Sequence, residues 1–198
     1  MKRRTRDESA IFKKFYPDGS LERITLDDLP APALIFFEGK SEVFIHPSDY
    51  REGNFEAVYR IQHPVLHSFV ATQTKTYDTC GDTERLTYVA DMAADGDMLG
   101  YLELRFNISN PSPFFHKRPF VGFNRTHEEF RQQGFGLRRL RVANALAHAF
   151  YGLPLHCSDS LQPSAKSLWL HLVENGEAVR YDYNDRDRFR FIRTTTFL

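Results

Sequence analysis

An α/β fold is what this sequence predicts, and three observations carry the prediction. Short runs rich in Val, Ile, Phe, Tyr and Leu, bounded by turn residues, read as strands. Two later segments place apolar residues three and four apart, as one face of a helix does. Between the last strand-like run of the central region and the first of these helices lies Arg131-Gln132-Gln133-Gly134-Phe135-Gly136-Leu137, a glycine-containing turn.

Composition narrows the class. A chain of 198 residues holds one sizeable core, or one core with an N-terminal extension. Basic and acidic residues balance at 26 each, so nothing in the net charge calls for a nucleic-acid partner. With 18 Phe and 9 Tyr the chain has ample material for packing. The basic start, Met1 to Arg6, is followed by Asp7 and Glu8 rather than an apolar stretch, so it is not a secretory signal. No apolar run approaches the roughly 20 residues of a membrane span. Cys80 and Cys157 make neither a disulfide framework nor a multi-cysteine metal site, and the scattered histidines lack helical His pairing, so no metal is expected. The expectation is a soluble, cytoplasmic protein without a membrane partner.

Residues 1–64 form an N-terminal segment, packing on or extending a domain at 65–198. Within it Phe15 to Ser20 reads as a turn, and Ala33 to Phe37 with Glu42 to Ile45 reads as a hairpin. Ile45 to Gly53 reads as a turn, and Tyr50 to Ile61 as a short helix. From Val65 the signals sharpen. Leu86 to Ala90 and Leu99 to Leu104 are strands joined through Asp95-Gly96-Asp97. Asn110-Pro111-Ser112-Pro113 breaks the chain before a strand at Phe120 to Thr126. Leu137, Leu140, Ala143, Ala147 and Phe150 then mark a helical face, stopped by Gly152-Leu153-Pro154. Leu155 to Ser158 reads as a short buried strand. Pro163 opens the next helix, whose apolar face is Ala165, Leu168, Trp169 and Leu172, and Asn175-Gly176 ends it. Ala178 to Tyr183 and Phe189 to Phe197 read as closing strands.

The turn at 131–137 has the makings of an anion cradle. Successive backbone N–H groups converge where a helix starts, and the helix dipole adds partial positive charge. Glycines 134 and 136 remove Cβ atoms that would hold a phosphate away, and Arg131 and Arg138 stand at the rim.

The element order, together with Arg131-Gln132-Gln133-Gly134-Phe135-Gly136, resembles the GNAT N-acetyltransferase superfamily and its signature Arg/Gln-x-x-Gly-x-Gly/Ala. Downstream, Gln162-Pro163-Ser164-Ala165-Lys166-Ser167-Leu168-Trp169 keeps the alanine of the family's Asn-x-x-Ala-x-x-x-Tyr pattern and replaces both ends; the Leu-Trp variant looks like that of acetyltransferase-like chains of phage genomes. The resemblance covers the second half to two-thirds of the chain. It implies a mixed, mostly antiparallel sheet flanked by helices and splayed at its middle to admit acetyl-CoA. Backbone N–H groups of Gln132, Gln133, Gly134, Phe135, Gly136 and Leu137 would hold the pyrophosphate, with Arg131 and Arg138 beside them. The strand end at Asn124 and Thr126 would meet the pantetheine arm and polarise the thioester carbonyl. The acceptor implied is an amine on a small molecule or protein; a homodimer is allowed.

The catalyst is less legible than the cofactor. Trp169 stands where many GNATs carry a tyrosine acid, and its indole reads as a core anchor; Tyr181 and Tyr183 are the substitutes within reach of the sequence. Glu103 sits in an apolar strand where burial would raise its pKa, although alternation with Leu102 and Leu104 argues for an outward side chain. His127 and Glu128 read as solvated loop residues. His156-Cys157-Ser158 falls beside the implied cleft, with Cys157 read as a small hydrophobe. Glu103, His156 and Ser158 are therefore the catalytic candidates. Arg138, Arg139 and Arg141 with Arg131 read as a basic patch on a solvated helix face, or as partners of CoA phosphates, with nucleic acid third. Two other readings stand beside acetyl transfer: a GNAT-like protein of little or no activity that binds a partner protein, and a nucleotide-binding domain using the same turn.

Overall fold

Apolar runs in the central third of the chain, buried on both parities along β6, pair into an antiparallel sheet. The computed structural model describes residues 20–23, 35–38, 41–44, 57–62, 67–76, 83–92, 98–109, 118–183 and 186–192. Strands β1 (Ser20–Arg23), β2 (Ile35–Glu38), β3 (Ser41–Phe44), β4 (Ala57–Gln62) and β5 (His67–Thr76) come first. They are followed by β6 (Thr83–Met92), β7 (Met98–Asn107) and β8 (Phe120–Thr126). Among the described residues the main sheet runs β1-β4-β5-β6-β7-β8, every neighbour antiparallel, while β2 and β3 pair as a separate hairpin. Helix α1 (Phe135–Tyr151), helix α2 (Pro163–Glu174) and the hairpin β9 (Ala178–Tyr183) to β10 (Arg186–Phe191) complete the order. The class is mixed α/β.

One apolar cluster joins these parts. Leu102, Leu104 and Val121 from the sheet meet Leu140, Ala143 and Ala147 of α1, Trp169 and Leu172 of α2, and Phe189 and Phe191 of β10. Helix α1 packs against β6, β7 and β8, and helix α2 packs against the closing hairpin. Trp169 is the anchor its spacing predicts: it stacks on Phe189 at 6.2 Å and meets Phe191 edge-on at 5.3 Å. No helix of the described residues is long and apolar enough to cross a membrane.

Four local expectations are corrected. Of the helix expected from Tyr50 to Ile61, residues 50–56 lie outside the described residues and Ala57 to Ile61 belong to a strand, because β5 and β1 pair with it on its two sides. The long strand β5 has no counterpart in the sequence reading; its run His67-Ser68-Phe69-Val70-Ala71-Thr72 mixes polar and apolar residues on both parities. Leu155 to Ser158 is not a strand but a single bridged residue, His156, held between Phe120 and Arg190. The last strand begins earlier than the expected Phe189, at Arg186, and runs to Phe191 where pairing with β9 defines it; the expected stretch from 193 to Phe197 lies outside the described residues. Of the turn expected at Phe15 to Ser20 only Ser20 is described, and it begins β1; the turns expected at Ile45 to Gly53, Asp95 to Asp97 and Asn110 to Pro113 lie outside the described residues.

Candidate functional site

Strand β8 is paired along one edge by β7 and, among the described residues, bridged on the other at its start. The Val121 N–H donates to the His156 carbonyl at 3.0 Å, and the His156 N–H donates to the Pro119 carbonyl at 2.9 Å. This one parallel bridge, Phe120 to His156, is the vertex of a V. Beyond it the 156 stretch turns toward β10, where the Cys157 N–H reaches the Phe189 carbonyl at 2.9 Å. Asn144 of α1 fixes the approach by accepting the Leu155 N–H at 3.0 Å. From Gly122 onward, no strand among the described residues pairs with the second edge of β8.

A cleft of about 490 Å³ fills the opening. Gly122, Phe123 and Asn124 form one wall, Ser158 and Leu161 the other, and Leu168 with Trp169 of α2 the apolar floor. A bulge helps to open it. Glu103 pairs with Phe123 and Leu104 with Val121, so Gly122 is an extra residue in β8. Such an insertion bends a strand and re-aims its side chains. The bare Cα also makes room for the pair beside it: a Cβ on Gly122 would overlap Glu103 Oε1 and lie 2.6 Å from Arg105 Nε, so those side chains would have to shift.

At the far end of β8 the chain passes through a single 3₁₀ turn, Glu128–Phe130, into the glycine turn. Gln132 and Gly134 both adopt left-handed backbone, at φ 64° and 82°. Gly134 is the N-cap of α1, there is no side-chain cap, and the first turn of the helix holds no acid. The first-turn N–H groups, which have no partner within a helix, therefore meet no carboxylate from the helix itself. Arg131, Gln132, Gln133 and Gly134 are exposed, and Phe135, Gly136, Leu137 and Arg138 are half-buried. Arg131 donates to the Thr126 carbonyl at 3.4 Å and lies 3.8 Å from Glu128. The Arg138 guanidinium sits over the Phe135 ring at 5.7 Å. Gly136 faces α2 and β8, where a Cβ would find only ordinary contacts with Leu168, Asn124 and Thr126.

The basic patch expected along α1 is not continuous. Helical geometry turns Arg139 onto the face of Leu140 and Ala143, and its side chain is fully buried against Asp91. Arg141 pairs with Glu177 through two bonds, which hold its guanidinium firmly charged. Asn124 and Thr126, expected to meet the pantetheine arm, turn their side chains to the helix: Asn124 Nδ2 donates to the Gly136 carbonyl at 3.0 Å, and both accept from Arg139.

Of the catalytic candidates, Ser158 lines the cleft wall. Glu103 stands behind Gly122. The outward, solvated position that alternation suggested for Glu103 is wrong, because the second face of the sheet is also covered and leaves it only 7% exposed. Burial pushes its carboxyl above the ordinary glutamate value, opposed by Arg105, whose Nε donates to it at 2.5 Å, and by a hydrogen bond from Tyr88. Arg105 itself lines the cleft and also reaches Glu84 at 3.6 Å. His156 is at the vertex with Nδ1 3.0 Å from the Tyr181 hydroxyl, which also accepts from Arg118 at 3.2 Å. Burial raises the Tyr181 phenol above its ordinary value. Cys157 is buried, its thiol pushed up by desolvation, and its sulfur accepts the Phe189 N–H at 3.2 Å. His127 and Glu128 are exposed.

The sequence reading missed Arg105, the Gly122 bulge and the Asp91–Arg139 pair. The last had a visible signal: an aspartate inside the apolar run Tyr88-Val89-Ala90-Asp91-Met92, and an arginine falling on the apolar stripe of α1. Comparison with protein-family models and with curated proteins gave no match for this chain.

Proposed function

We propose that the protein is an acyltransferase of the GNAT type, moving an acetyl group from acetyl-CoA directly to an amine. One observation carries the reading: the V between β8 and His156 opens into a cleft that adjoins α1, whose first turn has neither a side-chain cap nor an acid. An extended arm fits the cleft, and a pyrophosphate suits the helix start. In the cleft, the edge of β8 from Gly122 to Asn124 that no described strand pairs offers backbone partners to the arm.

The acceptor nitrogen attacks the thioester carbonyl, and the carbonyl oxygen takes up negative charge before the C–S bond breaks. Glu103, reached past the bare Cα of Gly122, takes the proton from nitrogen; its raised pKa makes it a better base than an exposed glutamate. Ser158, on the opposite wall, donates a hydrogen bond to the departing sulfur. His156 belongs to the framework of the vertex, tied to Tyr181.

The second reading, a CoA-binding protein without transferase activity that docks a partner protein, is favoured by one feature. Trp169, where the family commonly has tyrosine, is 2% exposed and committed to the core. A thiol-release assay with acetyl-CoA, paired with mass spectrometry of an amine and protein panel, separates the two. Acceptor-dependent thiol release with a matching acetyl mass gain supports transfer. Binding of CoA with no mass gain across the panel favours the partner-binding reading.

A further inference from the structure

The helix that begins at the glycine turn is fastened to the sheet by a charge pair wholly inside the molecule. Arg139 Nη1 lies 2.9 Å from Asp91 Oδ2, and both side chains are 0% exposed. The same guanidinium donates through Nη2 to the Arg125 carbonyl at 3.1 Å and to the Thr126 hydroxyl, and through Nε to Asn124 Oδ1 at 3.3 Å. Asn124 passes the link on, its amide donating to the Gly136 carbonyl at 3.0 Å. Behind the aspartate, the Ser68 hydroxyl donates to Oδ1 at 2.7 Å. Strand β7 leaves space for this arrangement at Gly100, the register partner of Asp91, where a Cβ would lie 2.9 Å from both terminal guanidinium nitrogens.

Stability alone does not account for such a device. Removing two charges from water is costly, and a buried ion pair often does no better than apolar side chains of similar volume. What apolar packing lacks is direction. Four hydrogen bonds from one planar group fix both the angle and the translation of α1 against the end of β8. We infer that the Asp91–Arg139 pair is a positioning element of the ligand site, setting the phosphate cradle against the splayed strand so that one ligand engages both. Neither side chain touches the ligand. The inference rests on the reading of the cleft and turn as a CoA site, and extends it to residues outside both.

The test compares CoA with pantetheine, which fills the cleft but carries no pyrophosphate. The double variant Asp91→Leu/Arg139→Met removes both charges together, so no lone buried charge is left to unfold the chain. Calorimetry should show CoA affinity lowered at least about tenfold, the scale expected of a misplaced site, while pantetheine affinity is kept. Equal loss for both ligands, or CoA affinity matching the unaltered chain, would overturn the inference. Should the double variant fail to fold, Thr126→Val removes one of the bonds and leaves the ion pair in place. A loss confined to CoA again supports the inference, and an unchanged CoA affinity opposes it. Absence of CoA binding by the unaltered chain is a separate outcome: it removes the acyltransferase reading itself.

Discussion

Gly134 and Glu103 bear the two halves of the proposed chemistry, binding and proton transfer. Gly134 holds φ 82°, a left-handed backbone that costs a residue with a Cβ about 1–2 kcal/mol, although nothing within 4 Å would obstruct the added atom. Gly134→Val should therefore weaken CoA binding through backbone strain, by about tenfold or more. Gly136→Ala should bind nearly as the unaltered chain does, since its Cβ would meet only ordinary contacts. Calorimetry on the two variants checks the contrast. For Glu103, burial raises the folded-state pKa, so the carboxyl is protonated at low pH and becomes a base only as pH rises through that raised value. The rate profile should show an acid limb above the ordinary glutamate value of 4.5. Glu103→Gln should lower turnover about a hundredfold and abolish the limb. The linked stability has the same sign. Stability from this carboxyl is present in full below its unfolded pKa and is lost as pH rises through the folded one. An unchanged pH profile in the Gln variant would remove Glu103 from the mechanism.

Elements position these residues, and here the limits of sequence reading become physical. Helices α1 and α2 were legible because their apolar stripes face one cluster and Pro163 and Gly152 mark their ends. Strands β6, β7 and β8 were legible for a similar reason, being apolar runs between breakers. Strand β5 was not, because its identity comes from pairing with β4 and β6 rather than from its own pattern. The bulge at Gly122 was equally hidden, since register is a property of two strands. Glu103 deceived for a related reason: alternation assigns a face, but not what covers that face. Trp169 links α2 to β10, and Trp169→Ala should cost about 3–5 kcal/mol of stability by chemical denaturation. The loss follows from emptying a site packed against Phe189 and Phe191. A loss well under 1 kcal/mol would show that the closing hairpin is held by other contacts.

In the whole molecule, a sheet paired along one edge of β8, with a bulge at Gly122, and open among the described residues along the other gives the chain its cleft. The helix start and the cleft are adjacent because Asn124, Thr126 and Arg139 join strand to helix. The glycine turn pointed to an anion in the sequence; its place beside an opening in the sheet comes from the fold. The central claim is that one ligand spans both features. Titrating CoA into the full chain in a calorimeter, with ATP and pantetheine titrated separately, tests it most directly. Saturable, micromolar binding of CoA, tighter than that of either of the others, is the expected result. No saturable heat with CoA, or tighter binding of ATP, would contradict it.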